Sequence, residues 1–271
     1  MSTKETKAVI SSTLDDKYLW FIPLTTHLLN KLGIGVILFV PNPKTEVEKQ
    51  KLQLGLNCLN YGYNKNEFYY FDAPEHKAAT YCQCLRNYAA CLDLPEDTIL
   101  FSTDIDMALF KIPEYIDNGK FSVFGYDLVP QGQYPQCYVT APVKEWRDAF
   151  NLNSKTYQQA IDELLGDDEC QDYRGCRWSV DQEQSFLKIR PTYPNLIARA
   201  KEGTEWATKR YDRDDSYILD RLSPDTIDFH MPRPGYADKN FEIILTILKY
   251  HYPDENFDWL ISYNEEYKKL L

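Results

Sequence analysis

The sequence has no hydrophobic run long enough to cross a bilayer. The longest runs, such as 34–41, are far shorter than the roughly 20 residues that a membrane-spanning helix needs. The amino-terminal segment also lacks the long apolar core of a secretory signal peptide. We therefore expect a soluble, cytoplasmic protein without a membrane span.

No CxxC pair occurs among the seven cysteines, which are scattered along the chain. Cys82, Cys84 and Cys91 fall within one predicted helix, where they are expected to fill space in the core rather than to bind a metal. This use of cysteine indicates a reducing compartment.

Positive charge is scarce, since 30 Lys and Arg stand against 41 Asp and Glu and give a net charge of −11. An acidic chain does not coat nucleic acid by counterion release. We therefore expect no nucleic-acid partner, although recognition of a modified base stays open. Hydrophobic residues make up 44% of the chain, which is enough for a sizeable core and argues against disorder.

The first half of the chain alternates short apolar runs with helix-spaced patterns. Its predicted strands are 8–10, 35–40, 67–71 and 98–102, and its predicted helices are 17–31, 44–58 and 76–92. Pro23 permits the first of these helices only if it lies in the first turn. The β-α-β-α order predicts an α/β fold with a mixed, mostly parallel sheet flanked by helices on both faces.

The second half is less regular. Strands are predicted at 121–125 and 137–140, and helices at 142–150, 154–165, 181–189, 241–250 and about 258–271. We interpret the charged stretch 209–221 as a solvated face. A lid that orders when a ligand binds is the alternative.

Two carboxylates, Asp104 and Asp106, follow the apolar run 99–101. In an extended segment they would point the same way and could face one ligand, while Ile105 packs behind them. Such a pair suits Mg²⁺ or Mn²⁺ together with a diphosphate. A solvated turn is the alternative. Because ligands of parallel sheets bind at the carboxyl ends of strands, where the 11–13 loop also lies, the site is favoured.

With its elements in this order, the chain resembles the nucleotide-sugar glycosyltransferases of the GT-A (Rossmann-like) fold. Three segments carry the resemblance in the family's order: the DxD at Asp104-Ile105-Asp106, Asp181-Gln182-Glu183 as the DQD-type segment of family 8, and His230 in IDFHMPRPG. The chain departs from the family pattern in two places. Glu183 stands where the family segment ends in Asp, and the Gly and the basic residue after His230 do not have the spacing of the family motif HxxGxxKPW. The resemblance implies one domain over 1–271, with a nucleotide-binding half to about 110 and an acceptor half from about 111.

The resemblance also implies a metal site for Mn²⁺ or Mg²⁺ at Asp104, Asp106 and His230, with Asp104 touching the metal or the ribose. The ion would neutralise the leaving diphosphate. Imidazole beside carboxylates suits Mn²⁺ better than Mg²⁺. An ordinary loop histidine, or one that is hydrogen-bonded to Asp228, is the alternative for His230.

By the same resemblance, the first loop would hold the base and ribose of the nucleotide through Ser11, Ser12, Thr13 and Asp15. Capping of the following helix is an equal alternative for these residues. Arg86 would lie near the donor, and a solvated or ion-paired arginine is the alternative.

Asp181 and Gln182 begin a predicted helix that lies beneath the donor sugar in the family. A carboxylate there could act as a base in an inverting reaction or stabilise an oxocarbenium-like centre in a retaining one. A helix cap is the alternative for Asp181. The acceptor side could be lined by Tyr126, Asp127, Trp146 and Trp178, although a place in the core is favoured for any one of the aromatic residues among them.

These features predict a metal-dependent transfer of a sugar from a nucleoside-diphosphate donor, most simply a UDP-sugar, to an acceptor hydroxyl on a glycan or another molecule. A nucleotidyltransferase is a first alternative, but the 11–16 loop is neither glycine-rich nor basic. A non-catalytic domain that binds UDP or a sugar is the second, because a fold does not establish a function.

Overall fold

The structure, a computed structural model, describes residues 4–59, 66–112, 116, 119–166, 179–197 and 210–271. Its strands are β1 (Thr6–Ser11), β2 (Gly35–Pro41), β3 (Glu67–Phe71), β4 (Ile99–Ser102), β5 (Met107–Leu109), β6 (Ser122–Phe124), β7 (Val139–Pro142), β8 (Asn195–Ile197), β9 (Arg210–Asp212) and β10 (Asp228–His230). Its α-helices are α1 (Asp16–Leu19), α2 (Ile22–Lys31), α3 (Glu46–Asn57), α4 (Ala78–Leu85), α5 (Val143–Phe150), α6 (Tyr157–Leu165), α7 (Val180–Ile189), α8 (Asp238–His251) and α9 (Asp258–Lys268).

The main sheet has the strand order β3-β2-β1-β4-β7-β6-β8. Strands β3, β2, β1 and β4 are parallel to one another, β7 is antiparallel to both β4 and β6, and β8 is parallel to β6. The predicted mixed, mostly parallel sheet is therefore confirmed.

Helices cover both faces of this sheet. Along β1, Ala8 and Ile10 pack into the core layer that contains α2, α8 and α9, whereas Val9 packs into the layer that contains α4 to α7. A strand that is buried on both faces reads as a continuous apolar run, which is why β1, β2 and β4 are readable from the sequence. Cys82 and Cys84 lie in the second layer, as predicted.

Two predicted helices are interrupted in the structure. The segment 17–31 forms α1 and then α2, with Pro23 in the first turn of α2, where a missing backbone N–H is tolerated. The segment 76–92 is α-helical only over α4 and continues as a 3₁₀ helix, Arg86–Cys91. This 3₁₀ segment positions Arg86.

A second, smaller sheet has the order β5-β10-β9, and none of its strands was predicted. Strand β10 pairs antiparallel with β5 and parallel with β9, which places His230 opposite both Met107 and Asp212. Residues that are far apart in the chain are thereby brought to the carboxyl end of β4.

Among the described helices, none combines the length and the apolar character that a bilayer crossing requires. The cytoplasmic location and the division into two halves near residue 110 stay predictions.

Candidate functional site

A cavity of about 170 Å³ lies beyond the carboxyl ends of β1 and β4. The charged side chains on its wall are Arg86, Asp104, Asp106, Arg213, His230 and Arg233. A groove of about 870 Å³ adjoins the cavity, because Thr13 and Ala79 line both. The structure thus brings Asp104, Asp106, His230 and Arg86 together, as the sequence predicts.

The Asp104-Ile105-Asp106 segment is a turn between β4 and β5, and it is part of the cavity wall as well. The Met107 amide donates to the Asp104 carbonyl at 3.3 Å, and the Thr25 hydroxyl donates to the Ile105 carbonyl. Ile105 packs into the core behind the turn while both carboxylates line the cavity. The turn and the site, which are alternatives in the sequence, are therefore both present.

Asp106 is surrounded by cations although its residue is only 3% exposed. Its Oδ2 lies 2.7 Å from Nη1 of Arg213, 3.3 Å from Nε of Arg233 and 3.3 Å from Nε2 of His230. Burial alone would raise the pKa of Asp106, but the hydrogen bond from His230 and the two arginines hold that pKa below its ordinary value. Asp106 is a buried anion that three basic side chains share.

The small sheet explains how these groups meet. The register of β10 on β5 sets His230 beside Met107, and the Met231 amide donates to the Asp106 carbonyl at 2.9 Å. Strand β9 runs along the other side of β10, and Arg213 is the first residue after it.

His230 lies between two carboxylates. Its Nε2 faces Asp106 and its Nδ1 is 3.7 Å from Oδ2 of Asp212, whereas the predicted alternative partner, Asp228, pairs with Arg210 at 3.1 Å. Burial lowers the pKa of His230, but the hydrogen bonds with both carboxylates outweigh burial and raise it. Both ring nitrogens of His230 therefore face a carboxylate.

Arg86 joins two acidic residues. It is 7% exposed and donates to Asp104, to the Thr103 carbonyl at 3.2 Å and to Oδ2 of Asp181 at 3.1 Å. The ion-paired alternative for Arg86 is thus correct, and the guanidinium also lines the cavity.

Asp181 lies behind Arg86 and is 1% exposed. Burial raises its pKa to about 6 despite the attraction of Arg86. The helix-cap alternative is wrong, because α7 begins one residue earlier, at Val180, and Ser179 is the cap residue. Gln182 is half-buried, and its carbonyl accepts a hydrogen bond from the Tyr134 amide at 3.1 Å.

The first loop combines capping with a place on the cavity wall. Asp15 caps α1, since its side chain accepts from the Lys17 amide at 2.9 Å, and Thr13 donates to Asp15. Ser11 and Thr13 line the cavity, and Thr13 and Asp15 line the groove.

The neighbouring Ser12 is buried. Its hydroxyl donates to the Thr13 carbonyl at 2.8 Å, and its amide donates to the Phe39 carbonyl at 3.0 Å. These bonds hold the loop against β2, so Ser12 shapes the loop rather than presenting its hydroxyl to the cavity.

The described side chains do not fit the predicted Mn²⁺ or Mg²⁺ site. Asp104 faces Arg86, Asp106 faces two arginines, and both ring nitrogens of His230 face carboxylates. In the described part of the chain, no group of three His, Cys, Asp or Glu side chains is placed to hold a metal ion. Metal binding at Asp104, Asp106 and His230 stays a prediction, and no step below depends on it.

Sequence reasoning missed Arg213 and Arg233. Arg213 lies in the charged stretch 209–221, which the sequence favours as a solvated face. That interpretation is wrong for Arg210 and Arg213, because both pair with buried aspartates. Lys209 lies outside the described residues. Arg233 covers the Tyr18 ring at 4.9 Å and donates to the Tyr18 hydroxyl. The sequence held one signal for Arg233. It is the basic residue three positions after His230, where its spacing departs from the family pattern.

Of the residues considered for the acceptor side, Trp146 belongs to the core, which is the favoured interpretation of these aromatic residues. Trp146 is buried between Phe121 and Phe150, with ring centroids 5.0 and 5.4 Å away, in the core of the molecule. Trp178 and the side chains of Tyr126 and Asp127 lie outside the described part of the structure.

Comparisons with known proteins give a fold and no family. Neither a protein-family model nor a curated protein sequence matches this chain. Among solved structures, the galactosyltransferase LgtC in complex with donor and acceptor sugar analogs covers 98% of this chain and 100% of its own, with a TM-score of 0.52 and 11% identity. An active-site mutant of LgtC covers 97% of this chain and 94% of its own, with a TM-score of 0.48 and 10% identity. The first likeness confirms the predicted GT-A-like α/β fold.

Proposed function

We propose that this chain transfers a sugar from a nucleoside-diphosphate donor, most simply a UDP-sugar, to the hydroxyl of an acceptor such as a glycan. One observation carries the proposal. Three guanidinium groups and an imidazole line one cavity at the carboxyl edge of a sheet whose fold is that of a galactosyltransferase. In a chain with a net charge of −11, this local positive charge suits an anionic ligand.

The reaction needs a stabilised leaving group. The bond between the anomeric carbon and the β-phosphate oxygen breaks, and its electron pair stays on the diphosphate. The acceptor oxygen bonds to the same carbon, and the proton of the acceptor hydroxyl is released to the solvent, so that atoms and charge balance. Guanidinium groups donate paired hydrogen bonds to phosphate oxygens, so Arg86, Arg213 and Arg233 would stabilise the charge that develops as the diphosphate leaves.

The adjoining groove would take the nucleoside. Thr13 and Asp15 offer a hydroxyl and a carboxylate on its wall, next to the cavity that would hold the phosphates. This arrangement supports the predicted role of the first loop, with Ser11 on the phosphate side.

Asp181 would contribute to sugar transfer by holding Arg86 in position rather than by touching the sugar. Its only described hydrogen-bonding route toward the cavity is the 3.1 Å contact with Arg86, so we propose it as a positioning residue. Gln182, the next residue of α7, stays a predicted catalytic residue.

The test is the product formed from a panel of UDP-sugars, measured as free nucleotide and free sugar by chromatography. We expect UDP and free sugar from slow transfer to water, with faster UDP release when a hydroxyl acceptor is added. The variant R213A should lose this activity, while R221A should keep it, because Arg221 is an exposed arginine of the same segment that pairs with Asp215.

Three outcomes would contradict the proposal. Pyrophosphate release from UTP and a sugar phosphate would indicate a nucleotidyltransferase instead. Binding of UDP without turnover of any UDP-sugar, alone or with acceptors, would indicate a non-catalytic binding domain. Equal activity in R213A and wild type would place the reaction elsewhere on the molecule.

A further inference from the structure

We propose that Arg86, Arg213 and Arg233, named here the arginine cluster, neutralise the diphosphate of the donor directly, in the place where a divalent cation was predicted. This inference rests on the proposed function, since it concerns the same cavity. It assigns to the cavity a ligand class, a diphosphate, that binds without a metal ion.

The first support is that the carboxylate charges are already balanced. A metal ion on Oδ2 of Asp106 would have to displace Arg213, which lies 2.7 Å from that oxygen, and a metal ion on either oxygen would lie close to Arg233 and His230. Like charges at such distances repel strongly where water is largely excluded. Asp106 is therefore arranged to hold two arginines in position rather than to bind Mn²⁺ or Mg²⁺.

The second support is the charge of the cavity wall. Three guanidinium groups line the cavity beside the carboxylates of Asp104 and Asp106, while the carboxylate of Asp181 lies behind Arg86 and that of Asp212 beside His230. A metal-binding cavity would be expected to carry excess negative charge to attract the cation. Here the cationic groups outnumber the carboxylates on the wall that faces the cavity, and this suits a diphosphate.

The third support is convergence. Arg86 comes from the 3₁₀ segment before β4, Arg213 follows β9, and Arg233 follows β10. Each is fixed by a partner that leaves part of the guanidinium fork facing the cavity: Asp181 for Arg86, Asp106 for Arg213 and the Tyr18 ring for Arg233. Side chains fixed in this way can bind phosphate oxygens at little entropic cost.

The experiment is calorimetric titration of the full chain with UDP, once in excess chelator and once in Mn²⁺. We expect the two dissociation constants to agree within about threefold, a difference of less than the 1.4 kcal/mol that a tenfold change represents. In chelator, R213A should weaken UDP binding about tenfold or more, whereas R221A should bind as the wild type does.

Folding defects are separated from binding defects by a second variant and a melt. R233A should weaken binding in the same way, and each variant should give a single thermal transition. Loss of UDP binding in chelator with recovery in Mn²⁺ would overturn the arginine-cluster inference while leaving the proposed function intact. Equal UDP affinity of R213A, R233A and wild type would also overturn it.

The failure of the proposed function has a different signature. If UDP, GDP, CDP and pyrophosphate all fail to bind in either buffer, both the function and this inference are wrong. If pyrophosphate binds in chelator and depends on Arg213 while none of the nucleotides binds, the arginine cluster is supported as an anion site and the nucleotide-sugar donor is rejected.

Discussion

At the scale of single residues, Asp106 organises the site. Two arginines and a histidine converge on one of its oxygens, and the side chain is almost fully buried. Asp104 has a different position, since 36% of its side chain is exposed and its partner Arg86 also contacts Asp181. The two carboxylates of the motif are therefore expected to differ in what they contribute to stability.

The substitution D106N should destabilise the fold more than D104N does. Removing the shared anion leaves three basic groups facing one another in a buried place, whereas Arg86 keeps Asp181 when Asp104 is neutralised. We expect a loss of about 2–4 kcal/mol for D106N, and of less than about 1 kcal/mol for D104N. Urea denaturation of both variants measures this, and equal stabilities would contradict the role given to Asp106.

His251 should make stability depend on pH. Its ring stacks on Phe110 with centroids 3.9 Å apart, and burial together with Lys111 lowers its pKa to about 4. The unfolded chain takes up this proton near pH 6.5, so the folded state loses stability as the pH falls from about 6.5 toward 4. The variant H251F keeps the stack and cannot titrate.

The free energy of unfolding of wild type and H251F, measured from pH 7.5 to pH 4.5, tests this. The wild type should lose more stability than H251F over that range, with the difference developing below about pH 6.5. Parallel curves for the two proteins would contradict the proton linkage assigned to His251.

At the scale of elements, the site depends on strands that are too short to read from sequence. Strands β1, β2 and β4 were predictable because both of their faces are buried and their residues form continuous apolar runs. Strands β5, β9 and β10 have three residues each, so no periodicity distinguishes them from loops. Their pairing is set by tertiary contacts.

This difference decides which site residues the sequence could predict. Asp104 and Asp106 follow a readable strand, and His230 was found through a motif. Arg213 follows an unreadable strand in a stretch rich in both signs of charge, so nothing local marks it as part of the cavity. Arg233 lies in the segment around His230 that carries the family resemblance, but its distance from His230 along the chain differs from that of the family's basic residue.

The segment after β10 is held close to α1 and α2 by a glycine. A Cβ on Gly235 would lie 2.3 Å from Cε3 of Trp20, a separation that forces a shift of the ring or of the backbone. We expect G235A to cost about 1–3 kcal/mol of stability. Because the shifted segment carries Arg233 and directly follows His230, UDP affinity should fall as well.

A matched control is Gly55, which lies within α3. A Cβ there would meet Pro23 Cδ at 3.5 Å, an ordinary contact, so G55A should stabilise the protein by about 0.5–1 kcal/mol through helix propensity. Urea denaturation of the two variants should therefore give shifts of opposite sign. A G235A protein as stable as the wild type would show that the segment tolerates displacement.

At the scale of the whole molecule, the site lies where two sheets meet. The main sheet supplies the ends of β1 and β4, and the small sheet supplies His230 and the residues that follow β9 and β10. An acidic chain thereby collects three arginines at one edge, where an open α/β sheet binds its ligands. The fold determines where the site lies, and the side chains that line the cavity determine which ligand it can bind.

The most direct test of this account is a crystal structure of the protein with UDP bound. The account predicts the phosphates in the cavity, within hydrogen-bonding distance of at least two members of the arginine cluster, and the uridine in the groove beside Thr13 and Asp15. UDP bound at another surface, or phosphates held away from the arginines by a metal ion on Asp106, would contradict it.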